Sequence, residues 1–261
     1  MSSTAIIDLD SVAYTIFHPN KVLDEYGKPL RENNKFVYQE KTEDEIIQSC
    51  DEVMSDILNK SKATSYIAFI KGKNTIQSRL SVNPEYKQNR NSEQPKYWEL
   101  TKSLLIDRWG AIPVDDIEVD DAVNIIYLSN KNEFFRCAID KDLLELEGIN
   151  YNWRLDKWYD ISKEEASINF WIDMITGQPG DNIKGIPRKG EKFAELMLVQ
   201  SNLKGEQFYG NIFNEYIKYF GEYKGIQEFH KNYLSLKILE QYEGFVVPEI
   251  INYNNRVEEL F

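Results

Sequence analysis

Phe134-Phe135-Arg136-Cys137-Ala138-Ile139-Asp140-Lys141-Asp142 is a short, largely apolar run that ends in two aspartates spaced i, i+2. A run of this length with aromatic and branched residues reads as a strand. The two acids then stand at a sheet edge, where their carboxylates can bridge neighbouring cations. Two further runs have the same form, Ala5 to Leu9, which carries Asp8, and Tyr66 to Ile70. Each of the three is followed by polar or helical sequence, the alternation expected of parallel strands. The predicted fold class is α/β, a mostly parallel central sheet flanked by helices.

The helical signals lie between and after these runs. Thr42-Glu43-Asp44-Glu45 has the form of a capping box and opens a helix with apolar positions Ile46, Cys50, Val53, Met54, Ile57 and Leu58. Asp120 to Leu128 reads as another helix, with its acids in the first turn, where the dipole favours negative charge. Ser162-Lys163-Glu164-Glu165 is a second capping box, leading to Phe170, Trp171, Met174 and Ile175 before Gly177. Beyond about Ser162 strand signals fade, which predicts an α/β lobe over 1–161 and a helical lobe over 162–261. The polar, basic stretch from about Asn83 to Pro95 is poorly periodic and reads as a mobile segment above the sheet.

The 261 residues suffice for one large domain or two tightly joined lobes. No apolar run approaches membrane-spanning length, and Met1-Ser2-Ser3-Thr4 lacks the basic start of a secretion signal. Two distant cysteines, Cys50 and Cys137, fit a reducing cytoplasm. With only His18 and His230 beside them, most zinc enzymes are excluded. The net charge of −12 weighs against nucleic acid as a partner. Basic residues nevertheless gather at Lys71-Gly72-Lys73, Lys87 to Arg90 and Lys184 to Lys192, and bound metal would offset the acids.

Those acids are the main chemical signal: Asp8, Glu118-Val119-Asp120-Asp121, Asp140, Asp142, and Asp181 in Gly180-Asp181-Asn182-Ile183. Carboxylates that share a cleft raise one another's pKa unless cations neutralise them. Carboxylate and water ligands suit magnesium or manganese rather than zinc. Plainer readings stand beside this one. Asp8 also fits a helix N-cap, or the Asp-x-Asp motif of haloacid-dehalogenase-type phosphatases with Asp10 as acid/base, and Glu118 to Asp121 fits a solvated helix start. The stretch Gly180 to Ala194 supplies a tight turn and a helix N-terminus able to hold a phosphate, or an ordinary packing corner between helices.

Taken together, the motifs resemble the 5′→3′ exonuclease and flap endonuclease family, particularly its bacteriophage members, over nearly the whole chain. Asp8 matches the strand-end aspartate, and Tyr86-Lys87-Gln88-Asn89-Arg90 matches the Tyr-Lys-x-Asn-Arg of the helical arch. Glu118-Val119-Asp120-Asp121 matches Glu-Ala-Asp-Asp, Asp140-Lys141-Asp142 a string of Ser-x-Asp-Lys-Asp-Leu type, and Asp181 to Ala194 the helix–three-turn–helix. The resemblance implies a PIN/5′-nuclease-like fold with an arch over about 83–110 and metal-dependent hydrolysis at 5′ ends or flaps of DNA. It implies Asp8, Glu118, Asp120, Asp121, Asp140, Asp142 and Asp181 as ligands of two or more Mg2+ or Mn2+ ions. Lys87 and Arg90 would serve the scissile phosphate, and Tyr86 would stack on a displaced base. Lys184, Gly185, Arg188, Lys189, Gly190 and Lys192 would hold duplex DNA, with K+ at the turn.

The implied partner is DNA with a 5′ end, nick or flap, or an RNA–DNA hybrid, met by a cytoplasmic monomer in phage-type replication or repair. Two departures bear on the metals. Ile70-Lys71 stands where the family usually has an aspartate, and so does Gln178, whose carbonyl can still bind a hard cation. Arg188 stands where the turn commonly has glycine. A DNA-binding scaffold with a weakened metal site is therefore the first alternative, and a haloacid-dehalogenase-type phosphatase the second.

Overall fold

The computed structural model describes residues 3–90, 94–199 and 206–260. Its strands β1 (Thr4–Asp8), β2 (Ser65–Lys71), β3 (Ile112–Val114), β4 (Phe134–Cys137), β5 (Gly148–Asn152), β6 (Lys157–Ile161) and β7 (Ile251–Asn252) form one sheet. The spatial order is β6-β5-β4-β1-β2-β7, with β3 also on β2. β5, β4, β1, β2 and β3 run parallel, and β6 and β7 pair antiparallel at the two sides. The helices are α1 (Asp10–Phe17), α2 (Glu43–Ser61), α3 (Gln77–Val82), α4 (Trp98–Trp109), α5 (Val119–Ser129), α6 (Lys163–Thr176), α7 (Glu191–Leu198), α8 (Glu206–Phe220), α9 (Glu222–Leu236) and α10 (Tyr253–Leu260).

Helices cover both faces of the sheet, which is why β1 is buried at every residue and shows no polar alternation. Successive side chains still divide by face. Ala5, Ile7, Tyr66, Ala68 and Ile70 pack with α1, α2 and α4 through Ile16, Met54, Leu58, Leu105 and Trp109. Ile6, Ile67 and Phe69 pack with Val123 and Ile126 of α5. A third cluster joins α6, α7, α8 and α9 through Trp171, Met174, Ala194, Leu198, Ile212, Tyr216 and Phe229. Both sequence-read capping boxes form, at Thr42 and at Ser162.

Two features differ from the sequence reading. The expected helical lobe does not extend to residue 261, because β7 returns to the sheet beside Ser65 and Tyr66, and Tyr253 joins the core around β1. Covering the exposed edge of β2 satisfies backbone groups that a helical lobe would leave bare. The arch expected over about 83–110, with a mobile segment from about Asn83 to Pro95, is also more tightly built. α4 buries Trp98, Leu105 and Trp109, and Trp109 is tied to the sheet and to α2. Part of that arch, residues 91–93, lies outside the described residues.

Candidate metal and nucleic-acid site

The carboxyl ends of parallel strands are where open α/β sheets gather ligands. Asp8 is the last residue of β1, Asp140 follows β4, and Glu118 is the N-cap residue of α5 after β3. Four aspartates at this edge share one geometry. A backbone N–H holds one oxygen of each: Asp10 N to Asp8 at 2.9 Å, Lys71 N to Asp10 at 2.8 Å, Asp121 N to Asp120 at 2.8 Å and Asp142 N to Asp140 at 3.0 Å. Among the described residues, no hydrogen bond or ion pair reaches the second oxygen of any of the four.

Burial and repulsion between neighbouring carboxylates set the titration of Asp8, Asp10 and Asp120. Burial, then the neighbouring Asp10, pushes Asp8 up to about 8. Burial also raises Asp10, with Glu118 adding to the shift, and raises Asp120 well above the carboxylate range with help from Asp121 and Glu118. Pinned carboxylates with free oxygens and raised pKa values suit a hard divalent cation, which would displace the protons. The donor chemistry of this half therefore suits such an ion, although the described residues bring three carboxylate oxygens to within 4.8 Å of one another only at Asp142, Glu145 and Asp173.

A testable pH dependence follows from Asp8, whose pKa rises from 3.8 to about 8 in the folded chain. A carboxyl raised by folding stabilises the fold below its unfolded pKa, and that contribution is lost as pH climbs through the folded value. The ion-free protein is expected to lose melting temperature between about pH 4 and 8, with Mn2+ restoring most at the upper end. A flat melting temperature across that range, with and without Mn2+, contradicts this.

Asp121, expected to hold metal, is turned inward instead. Its two oxygens take a bidentate pair from Arg79 at 2.7 and 2.9 Å, and also accept the Glu118 and Leu239 N–H groups. It is fully buried, so no oxygen is left for an ion. Arg79 also lies 2.9 Å from Glu118 and donates to the carbonyls of Ser235 and Lys237.

The basic segment after α3 is folded onto the acids. Tyr86 is buried, and its hydroxyl donates to Glu118 at 2.7 Å and lies 3.0 Å from Asp181. Base stacking by Tyr86 is thus closed off, because the ring lies in the core formed by α6 to α9. Lys87, in a left-handed backbone conformation (φ 55°), ion-pairs with Glu118 and lies 3.5 Å from Asp181, and Arg90 ion-pairs with Asp181. Burial alone would lower the Lys87 pKa, but Glu118 and Asp181 outweigh it and raise the value. Backbone links from Lys87 N to Asp181 O and from Asn89 to Pro179 O fix the segment to the turn after α6. The described part of the stretch is therefore fastened where the sequence suggested mobility.

A second acidic group lies between the turn after β4 and α6. Carboxylate oxygens of Asp142, Glu145 and Asp173 fall within 4.8 Å of one another, close enough to hold a metal ion. Gln178, expected to offer a carbonyl to a cation, presents its amide nitrogen to all three. That nitrogen lies 2.9 Å from Asp142, 2.6 Å from Asp173 and 3.4 Å from Glu145. Lys141 adds its ammonium at 2.9 Å from Asp173 and 3.4 Å from Asp142. This half of the site is already supplied with protein donors.

Beyond it, Gly177–Gln178 and Ile183–Lys184 form a two-residue antiparallel ladder around the turn that carries Asp181. Gly177 has φ 79°, and a Cβ on Gly185 would collide with the Ile175 carbonyl, so both positions require glycine. Arg188 adopts the left-handed φ of 67° that glycine favours. Lys184, Arg188, Gly190 and Lys192 are exposed and Gly185 is buried. Lys189 sits 3.6 Å from Glu215 and over the Phe193 ring. No side chain caps the N-terminus of α7.

Sequence reasoning missed Asp10, Glu145 and Asp173 as members of the site. Asp10 repeats after Asp8 the i, i+2 spacing of Asp140 and Asp142. Glu145 lies one turn beyond Asp142, whereas nothing in the sequence marks Asp173.

No protein-family model matches the chain, and no curated protein matches it in sequence. The structure is similar to a mutant of the bacteriophage T5 5′-exonuclease, with TM-score 0.57 and 13% identity over 90% of this chain and 89% of that one. The zinc-bound T5 5′-exonuclease gives a TM-score of 0.54 and 15% identity, covering 89% of this chain and 90% of that one. A T5 flap endonuclease pseudo-enzyme–product complex with DNA and metal ions gives 0.52 and 15%, covering 89% of each chain. At these identities the likeness concerns architecture, and in architecture this chain has the fold of the T5 5′-nucleases.

Proposed function

We propose that the chain is a divalent-metal-dependent nuclease that hydrolyses phosphodiester bonds at 5′ ends or flaps of DNA. The observation that carries this reading is the row of Asp8, Asp10, Asp120 and Asp140, each pinned through one oxygen and free at the other. These residues, with Glu118 and Asp181 beside them, would hold Mg2+ or Mn2+. The bound ion supplies Lewis acidity toward phosphate and a lowered pKa for the attacking water.

The chain's own residues complete the site. Lys87 and Arg90 now neutralise Glu118 and Asp181, and a phosphate entering beside them exchanges carboxylate partners for phosphate oxygens. Lys184, Arg188 and Lys192 flank the turn as phosphate contacts, which position a duplex without reading its sequence. RNA–DNA hybrids and a role in replication or repair belong to the same proposal.

The direct test is cleavage of a 5′-labelled flap or nicked duplex with Mg2+, with Mn2+ and with chelator. Cleavage that requires the metal supports the reading. Lys87→Ala is expected to slow single-turnover cleavage by about 10²-fold, the scale of losing one electrostatic group at the reacting phosphate. DNA affinity should change far less, and an unchanged single-turnover rate removes Lys87 from the chemistry. The engagement of Lys87, Arg90 and Gln178 by carboxylates favours one second reading, a nuclease-fold scaffold. DNA binding without cleavage in either metal selects the scaffold.

A further inference from the structure

The two halves of the acidic site are built differently. Asp8, Asp10, Asp120 and Asp140 keep an oxygen that no donor among the described residues reaches, whereas Asp142 and Asp173 are met by nitrogen donors. We infer that the Gln178 amide and the Lys141 ammonium take the place of a cation in the triad of Asp142, Glu145 and Asp173, so that this half of the site binds no divalent ion. The inference deepens the proposed nuclease reading and rests on it for the open half.

Three distances fix the orientation of the Gln178 side chain. An amide nitrogen has two hydrogens, and they go to the two nearest acceptors, Asp173 at 2.6 Å and Asp142 at 2.9 Å. Glu145, at 3.4 Å, is the outer neighbour. Rotating the amide would aim its carbonyl at three carboxyl groups, an arrangement that needs an ion to hold it. The backbone gives Gln178 little freedom to withdraw, since it pairs with Ile183 in the short ladder after Gly177 and is 7% exposed.

The triad has the spacing of a coordination shell, with its oxygens within 4.8 Å of one another. An incoming Mg2+ or Mn2+ must expel Lys141 and reverse the Gln178 amide at once. It then gains one neutral carbonyl ligand at a position where a carboxylate would have added charge. Across the cleft, the same ion finds oxygens without a protein donor. Uptake is therefore confined to the open half, and the closed half keeps its own nitrogen donors.

Mn2+ bound per chain, counted by the loss of the free-ion EPR signal, tests this on the whole protein. Asp173→Asn is expected to leave the count unchanged, and the isosteric Gln178→Glu to raise it by one ion. A count that falls by one in Asp173→Asn overturns the inference, because the triad then already held an ion. No gain in Gln178→Glu, with circular dichroism matching the wild type, overturns it as well. Asp140→Asn separates this from the underlying reading. If that variant binds as many ions as the wild type, the open half is not a metal site and the proposed function fails instead.

Discussion

Asp140→Ala is expected to lower metal-dependent flap cleavage by at least about 10³-fold, the upper range for removing one group that stabilises a transition state electrostatically. The reason is local. Asp140 follows β4, one of its oxygens is held by the Asp142 N–H at 3.0 Å, and no donor among the described residues reaches the other. Alanine removes that oxygen, while the turn behind it retains its other anchors. DNA binding should persist, because the phosphate contacts lie on the turn before α7 and on Lys87 and Arg90. Single-turnover cleavage and fluorescence anisotropy on the same flap separate the two effects, and cleavage at the parent rate removes Asp140 from the ligand set. Asp142→Ala should cost less than Asp140→Ala, since Asp142 faces the Gln178 amide and Lys141.

Arg79→Ala carries the largest expected stability loss, about 3–5 kcal/mol, the cost of leaving one member of a buried ion pair alone. Arg79 and Asp121 have side-chain exposures of 6% and 0%, and the pair is bidentate. Without the guanidinium, Asp121 must keep its charge in the core or take up a proton, and the carbonyls of Ser235 and Lys237 lose a donor. At a few degrees per kcal/mol for a chain of this size, the melting temperature should drop by roughly 10 °C. The double change Arg79→Met with Asp121→Leu should recover much of the loss, because it removes both charges together. If Arg79→Ala melts with the wild type, the pair does not hold α3 to α5.

The strands that lead to Asp8 and Asp140 were legible because both lie in largely apolar runs that end in acids, a pattern that survives without any knowledge of neighbours. The same holds for the capping boxes at Thr42 and Ser162, which are local chemistry. The hairpin of β5 and β6 was not legible, since Asn150, Asn152, Lys157 and Asp160 interrupt it and only β4 beside it makes it a sheet margin. Asp121 was indistinguishable from Asp120 in sequence. One faces the cleft and the other faces Arg79 because adjacent helical residues point about 100° apart, and the position of Arg79 is a tertiary fact. Gln178 read as a missing acid, and only the fold reveals what its amide faces.

The pairing of β7 with β2 also bears on timing. Ser65 and Tyr66 are made long before Ile251 and Asn252, so during synthesis that stretch of β2 waits with bare backbone groups until β7 has emerged. A half-made chain thus carries an apolar strand, buried on both faces in the finished sheet, with one margin ready to pair with whatever strand arrives first. On a crowded polysome that neighbour is another copy of itself. A strand from far along the sequence is, in this sense, the chain's own guard against self-association.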